Sequence, residues 1–179
     1  MKKTILLFII LLLCGCSFSN TPSSVVENFL KDYNKLNNNV IKDLEITLLD
    51  EDLSNINREE YVKALKRVYM DMKYKIEDES ILKDKAEVLV KVKVYDLYKA
   101  DKKSETYMNN NIMEFSNESG EFDNDIFDSY RIKEMLKINE MIEHEVIFQL
   151  HKKDGIWILD ELDRESLEKL NGLYNYDNN

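Results

Sequence analysis

The chain has 179 residues, of which 44% are hydrophobic, 34% charged and 10% aromatic, with a formal net charge of −10. That balance belongs to a single-domain globular protein and excludes a disordered, collagen-like or multi-span membrane chain. The acidic excess excludes nucleic acid as a partner, because binding it rests on a basic surface that neutralises phosphates. With one Pro and four Gly the chain has little capacity for long irregular loops.

The first element is Met1-Lys2-Lys3, then Thr4, then an unbroken apolar run from Ile5 to Leu13, then Cys14-Gly15-Cys16. A positive start and a short apolar run are the export signature, and the run falls well short of the ~20 apolar residues needed to cross a bilayer. Leu13-Cys14-Gly15-Cys16 resembles the lipobox of bacterial lipoproteins, in which a branched apolar residue and two small ones precede the cysteine that receives a diacylglyceryl group. The resemblance implies that residues 1-15 are a signal peptide and that Cys16 is the first mature, lipidated residue. It also implies a location at the extracytoplasmic face of the cell membrane, held there by the lipid. Cleavage removes Lys2 and Lys3 and takes the formal charge from −10 to −12. Cys14 leaves with the signal peptide and no further cysteine exists, so the exported domain has no disulfide. Two or more acyl chains hold such a domain firmly, where one gives only marginal binding. Residues 16-23 then form the lipidated cysteine and a short polar tether, and residues 24-179 a single domain. The heavy use of Asn, Lys and Ile fits an AT-rich genome, as in low-GC Gram-positive bacteria.

Ser24-Val25-Val26-Glu27 fits a capping box, and Val25, Val26, Phe29, Leu30, Tyr33 and Leu36 form one apolar stripe of a helix starting there. Ile41, Leu44 and Leu48 suggest a second helix. Asn57-Arg58-Glu59-Glu60 offers a further N-cap, followed by Tyr61, Leu65, Val68 and Met72 at helical spacing. From Lys73 the period changes to two. Tyr74 and Ile76 begin a strand, Glu77 to Lys83 read as a connection, and Lys85 to Tyr98 alternate with Ala86, Val88, Val90, Val92 and Val94 on one face. Ala100 to Asp125 read as an exposed connection. A helix follows with Ile132, Met135, Leu136 and Ile142 as its stripe, then a strand over Glu143 to Lys152. Lys153-Asp154-Gly155 is a hairpin turn, Ile156 to Leu159 the returning strand, and Arg164 to Leu173 a terminal helix with Leu167 and Leu170 inward.

Helices followed by antiparallel strands give an α+β class. The pattern is similar to the NTF2-like (cystatin-like) superfamily, in which N-terminal helices pack on the concave face of a curved antiparallel sheet. The opening Ser24 to Tyr33 carries that resemblance together with Lys153-Asp154-Gly155-Ile156-Trp157-Ile158-Leu159, which looks like the family's closing hairpin. The segment from Ala100 to Met141 is longer than a minimal member needs.

Such a fold implies a cone between helices and sheet, which family members use for isomerase or dehydratase chemistry, for ligand binding, or for no chemistry. Parity carries Asp96 and Tyr98 to the face of the valines, and places His144 with Val146, Phe148 and Leu150. If the two strands are antiparallel neighbours, Asp96 and His144 converge at the cone mouth as a workable general-base pair; the plainer alternative is two polar strand ends in water. No catalytic residue is assigned beyond these two candidates, and no cofactor is expected. A metal is not expected either: His144 and His151 fall on opposite faces of a strand, and the acidic run Glu118, Glu121, Asp123, Asp125 and Asp128 fails the EF-hand spacing. The leading expectation is a non-enzymatic, membrane-anchored domain that binds a protein or small ligand. The rival is a small isomerase- or lyase-like enzyme using Asp96 and His144. A transporter's two-lobed solute-binding subunit is hard to build at this length.

Overall fold

The computed structural model describes residues 20–48 and 52–178. The expected signal peptide, Cys16 and the tether as far as residue 19 lie outside the described residues.

Helix α1 (Pro22–Asn34) starts two residues earlier than the sequence pattern suggests. Its N-cap is Thr21: the hydroxyl accepts from the Ser24 N–H while the Ser24 side chain accepts from the Thr21 N–H, and Pro22 sits in the first turn where no N–H is needed. Ser24 is therefore the far member of the capping box, and Glu27 pairs with Lys31 one turn on. Val26 and Leu30 are fully buried. Helix α2 (Asn38–Thr47) follows, then helix α3 (Asn55–Asp71). Ser54, not Asn57, caps α3. Asn57 lies inside the first turn with its amide turned to the Asp125 carbonyl at 2.9 Å.

Four strands make one open antiparallel sheet in the order β1-β2-β3-β4: β1 (Lys73–Leu82), β2 (Lys85–Tyr95), β3 (Met141–Lys153) and β4 (Ile156–Leu159). The stretch expected to be a connection, Glu77 to Lys83, is mostly strand. A bulge between Ile76 and Asp78 inserts one residue opposite β2 and resets the alternation, so a period of two is lost across it. Only Lys83 and Asp84 turn the chain, with Lys83 at φ 57°. In β2 the valines alternate as expected, Val88, Val90, Val92 and Val94 all fully buried. The strand ends at Tyr95, however, so Asp96 and Tyr98 are not strand residues. The β3–β4 hairpin turns on Asp154 (φ 52°) and Gly155 (φ 82°), the left-handed pair that a two-residue hairpin loop requires.

The Ala100 to Asp125 segment departs furthest from the sequence reading. It holds helix α4 (Leu97–Asn110) and a 3₁₀ turn over Ile112–Phe115, and helix α5 (Asn124–Lys137) follows. The buried side of α4 is Leu97, Tyr98, Ala100 and Ser104, and beyond the first turn only the small Ala100 and Ser104 mark it. Rings of Tyr107, Phe115, Phe127 and Tyr130 interlock at 5.2–5.5 Å between α4, the turn and α5. Ile142 belongs to β3 and not to the helical stripe. In the terminal helix α6 (Arg164–Asn171) Leu170 is fully buried, but Leu167 is 39% exposed and does not point inward.

The fold is thus α+β, with α1 and α3 packed on one face of a curved, unclosed sheet. Between them Leu30, Val88, Val90 and Phe148 are fully buried, with Trp157 beside them and the Phe29 ring edge-on to Phe148 at 5.9 Å. Beyond the short β4, α6 stands over the edge of β3, where Lys169 donates to the Glu145 carbonyl and so shields an otherwise open ladder.

Candidate functional site

Asp96 and His144 lie towards the same end of the sheet, four ladder positions apart, and Asp96 gets there by a route that differs from strand parity. The β2–β3 register puts Val92 opposite His144 and Tyr95 opposite Met141. The Asp96 N–H then continues the ladder to the Glu140 carbonyl at 3.0 Å before the chain turns into α4. Asp96 is the N-cap of that helix: Oδ1 accepts from the Lys99 N–H at 2.9 Å, satisfying one of the unpaired donors of the first turn. Oδ2 accepts from the Tyr176 hydroxyl at 3.1 Å. Both carboxylate oxygens are engaged, and the side chain is 6% exposed.

His144 lies on the inward face of β3, 9% exposed, with the Tyr174 ring edge-on at 5.5 Å. Burial pushes its pKa below the ordinary imidazole value, the Lys169 ammonium pushes the same way, and the Asp96 carboxylate pulls back. The imidazole is therefore held towards its neutral form, in the electrostatic reach of Asp96. The Lys169 ammonium itself sits 4.9 Å above the Tyr174 ring. Burial raises the Tyr176 hydroxyl to about 12, helped by the hydrogen bond to Asp96.

The covering residues come from the C-terminal tail, to which the sequence reading gave no role. Gly172 ends α6 at φ 70°, and its carbonyl accepts from the Tyr98 N–H at 2.8 Å. That contact lays the tail across the sheet end. Tyr174 reaches His144 and Tyr176 reaches Asp96, while the Tyr98 hydroxyl donates to Asp177 at 2.9 Å. The signal was present in the sequence as a Gly after a helix followed by two alternating tyrosines in a polar tail.

The other chemical candidates have structural partners. His151 pairs with Asp160 on the surface, on the opposite face of β3 from His144. Within the acidic run, Asp123 caps α5, Asp125 receives Asn57, and Asp128 pairs with Arg131 at 3.0 Å. Arg131 also meets Asp101 at 3.5 Å, tying α5 to α4, and burial raises both carboxyls above their usual range. Among the described residues no group of three or more His, Cys, Asp or Glu is placed to hold a metal ion. A surface groove of about 540 Å³ runs between α3 and α5 and includes Ile56, Phe115, Ile126 and Tyr130. No helix among the described residues is long and apolar enough to cross a membrane.

No family model matches the chain, and no curated protein matches it. Among solved structures it is similar to the crystal structure of YcdA, a proposed lipoprotein from Bacillus subtilis, at 18% identity and a TM-score of 0.43, over 83% of this chain and 47% of that one. The chain thus spans about half the length of that protein. At such a distance, fold and site stand on this chain's own residues.

Proposed function

We propose that this protein is a lipid-anchored, extracytoplasmic lipoprotein whose NTF2-like domain acts as a non-catalytic scaffold, engaging another protein through its outer surface. The observation that carries the scaffold reading is the filled concave side. Leu30, Val88, Val90 and Phe148 occupy the space where a ligand-binding member of this architecture would be hollow. Helices on one face of an open, curved antiparallel sheet support the NTF2-like assignment. The anchor rests on Leu13-Cys14-Gly15-Cys16 after a short apolar run.

Two measurements test the proposal. Replacing Cys16→Ser and fractionating cells that express the full chain should move the protein from the membrane to the medium; equal membrane retention of both forms overturns the anchor. Asp96→Asn keeps a capping side chain at α4, so it probes chemistry without removing the cap. An isomerase or hydrolase turnover of the parent protein that this variant abolishes would overturn the scaffold.

A further inference from the structure

The two hairpin tips of the sheet, Lys83-Asp84 and Asp154-Gly155, lie side by side. Lys85 is opposite His151 in the ladder, and the Lys152 N–H donates to the Asp84 carbonyl at 2.8 Å. Around them large apolar side chains stand in solvent: Leu82 is 74% exposed, Ile156 56% and Ile81 52%. Four exposed lysines, Lys83, Lys85, Lys152 and Lys153, surround these side chains against two aspartates, Asp84 and Asp154, on a protein whose formal charge is −10. Further along the outer face each lysine of β2 stands between a glutamate of β3 and a lysine of β1, Lys91 between Glu145 and Lys75 and Lys93 between Glu143 and Lys73. At the tips the lysines stand opposite neutral residues, Lys152 against Trp157 and Lys153 against Ile156.

The N-terminal end of the folded domain is fastened to this same end of the sheet. The Asn20 side-chain amide pairs with the backbone of Trp157, giving to its carbonyl at 3.3 Å and accepting its N–H at 2.5 Å. Three residues on, Ser23 donates its N–H to Glu79 of β1 at 2.8 Å. Asn20 follows Cys16 by four residues, which span at most about 14 Å fully extended. A lipid on Cys16 would therefore hold the tips, and not the opposite end of the strands, against the bilayer.

We infer that the paired hairpin tips form a membrane-contacting surface: Ile81, Leu82 and Ile156 enter the headgroup region, and Lys83, Lys85, Lys152 and Lys153 meet anionic lipid headgroups. The inference rests on the lipid-anchor reading. Exposed apolar side chains and local positive charge are together what binds a protein edge to an anionic interface, and the anchor supplies the high local concentration that a small patch needs. The domain then stands tip-down, with the α4 end of the sheet facing away from the membrane.

The test uses the full chain, matured and purified from membranes, reconstituted into vesicles of phosphatidylcholine with about one third phosphatidylglycerol. With Cys16 acylated, an introduced cysteine is the one free thiol. Spin labels are placed at Leu82→Cys or, as the control, at Lys93→Cys, which lies roughly 26 Å further along β2 than Lys85 at ~3.3 Å per residue. The expected result is that the label at 82 becomes accessible to oxygen and protected from a water-soluble nickel complex on anionic vesicles, while the label at 93 stays in water. Reversing the four lysines to glutamate should return position 82 to the aqueous value with the protein still attached. A protein that stays on the vesicles with position 82 in water, or with both positions immersed, overturns the tip-down surface alone. A protein that does not partition to vesicles, and behaves like its Cys16→Ser variant, overturns the anchor and this inference with it.

Discussion

Replacing Gly172→Ala tests how the C-terminal tail closes over Asp96 and His144. A Cβ at this position would lie 2.0 Å from the Tyr95 carbonyl oxygen and 3.3 Å from its carbonyl carbon. Both are backbone atoms at the end of the β2–β3 ladder, so neither can rotate away as a side chain could. The left-handed backbone, φ 70°, costs a non-glycine residue about 1–2 kcal/mol. Relieving the overlap requires Gly172 to move, which breaks the Tyr98 N–H bond to its carbonyl, worth roughly 1 kcal/mol net. Together about 3 kcal/mol is at stake, and for a domain of this size each kcal/mol lowers Tm by about 2–4 °C. Thermal melts followed by circular dichroism should show a drop of about 6–12 °C. In the same variant, NMR titration should show the His144 imidazole returning towards its ordinary pKa, because the Tyr174 cover and the burial it provides are loosened. A variant that melts within about 1 °C of the parent, with the His144 titration unchanged, refutes the account of the tail.

Phe148→Ala, in a filled concave face, should cost about 3–5 kcal/mol in chemical denaturation, and Phe148→Trp should also destabilise, by about 1–3 kcal/mol; a Trp variant as stable as the parent would show that the space is hollow. Asp96→Ala should lose roughly 1–2 kcal/mol through its cap while Asp96→Asn loses less, and Tyr176→Phe should weaken the parent but not the Asp96→Ala protein, a difference that a double-mutant cycle reads directly. His144 has its folded pKa lowered, chiefly by burial, so as pH falls the unfolded chain takes up the proton first: the stability is present above the unfolded value of about 6.5 and is lost as pH drops below it. Tm should therefore fall between pH 7.5 and 5.5 by more in the parent than in His144→Gln, and parallel curves for the two proteins would contradict this. Carboxylates held low by partners, such as Asp163 by the Ser166 N–H and Glu140 by Lys99, lose their contribution only below the usual carboxylate range, outside that window.

Where the hydrophobic period is strong, local pattern and tertiary structure agree. The valines of β2 and the stripe of α1 point where their spacing says, and Asp154-Gly155 turns the hairpin. The start of α1 is a local miss, Thr21 capping through Ser24 three residues on; the larger misses share a cause, which is that a side chain's partner lies far away in sequence. The bulge at Ile76 is defined by its opposition to Val90 and Leu89, so no reading of β1 alone could detect it. Helix α4 is held by contacts with α5 and by the ring cluster around Phe115, while its own sequence offers Ala100 and Ser104 where a self-evident stripe has leucines. Asn57 resembles an N-cap until Asp125, 68 residues on, takes its amide and leaves the cap to Ser54.

The same cause governs the candidate site. Parity brought Asp96 to the right end of the sheet for the wrong reason, since the residue leaves the strand and spends one oxygen on capping α4. Its second oxygen and the face of His144 are met by Tyr176 and Tyr174, about 80 and 30 residues away along the chain. An acid beside an imidazole in a sequence is compatible with general-base catalysis, but a base must reach the proton it removes. Here any substrate would first have to lift a tail fixed by the Gly172 carbonyl, by the Tyr176 hydroxyl on Asp96 and by the Tyr98 hydroxyl on Asp177. The polar atoms at the end of the sheet are thereby used to seal a core between layers, and that use is what supports the scaffold proposed above. General-base work by His144 would need its imidazole open to the outside, and Gly172→Ala, by loosening the tail, is the variant that opens it.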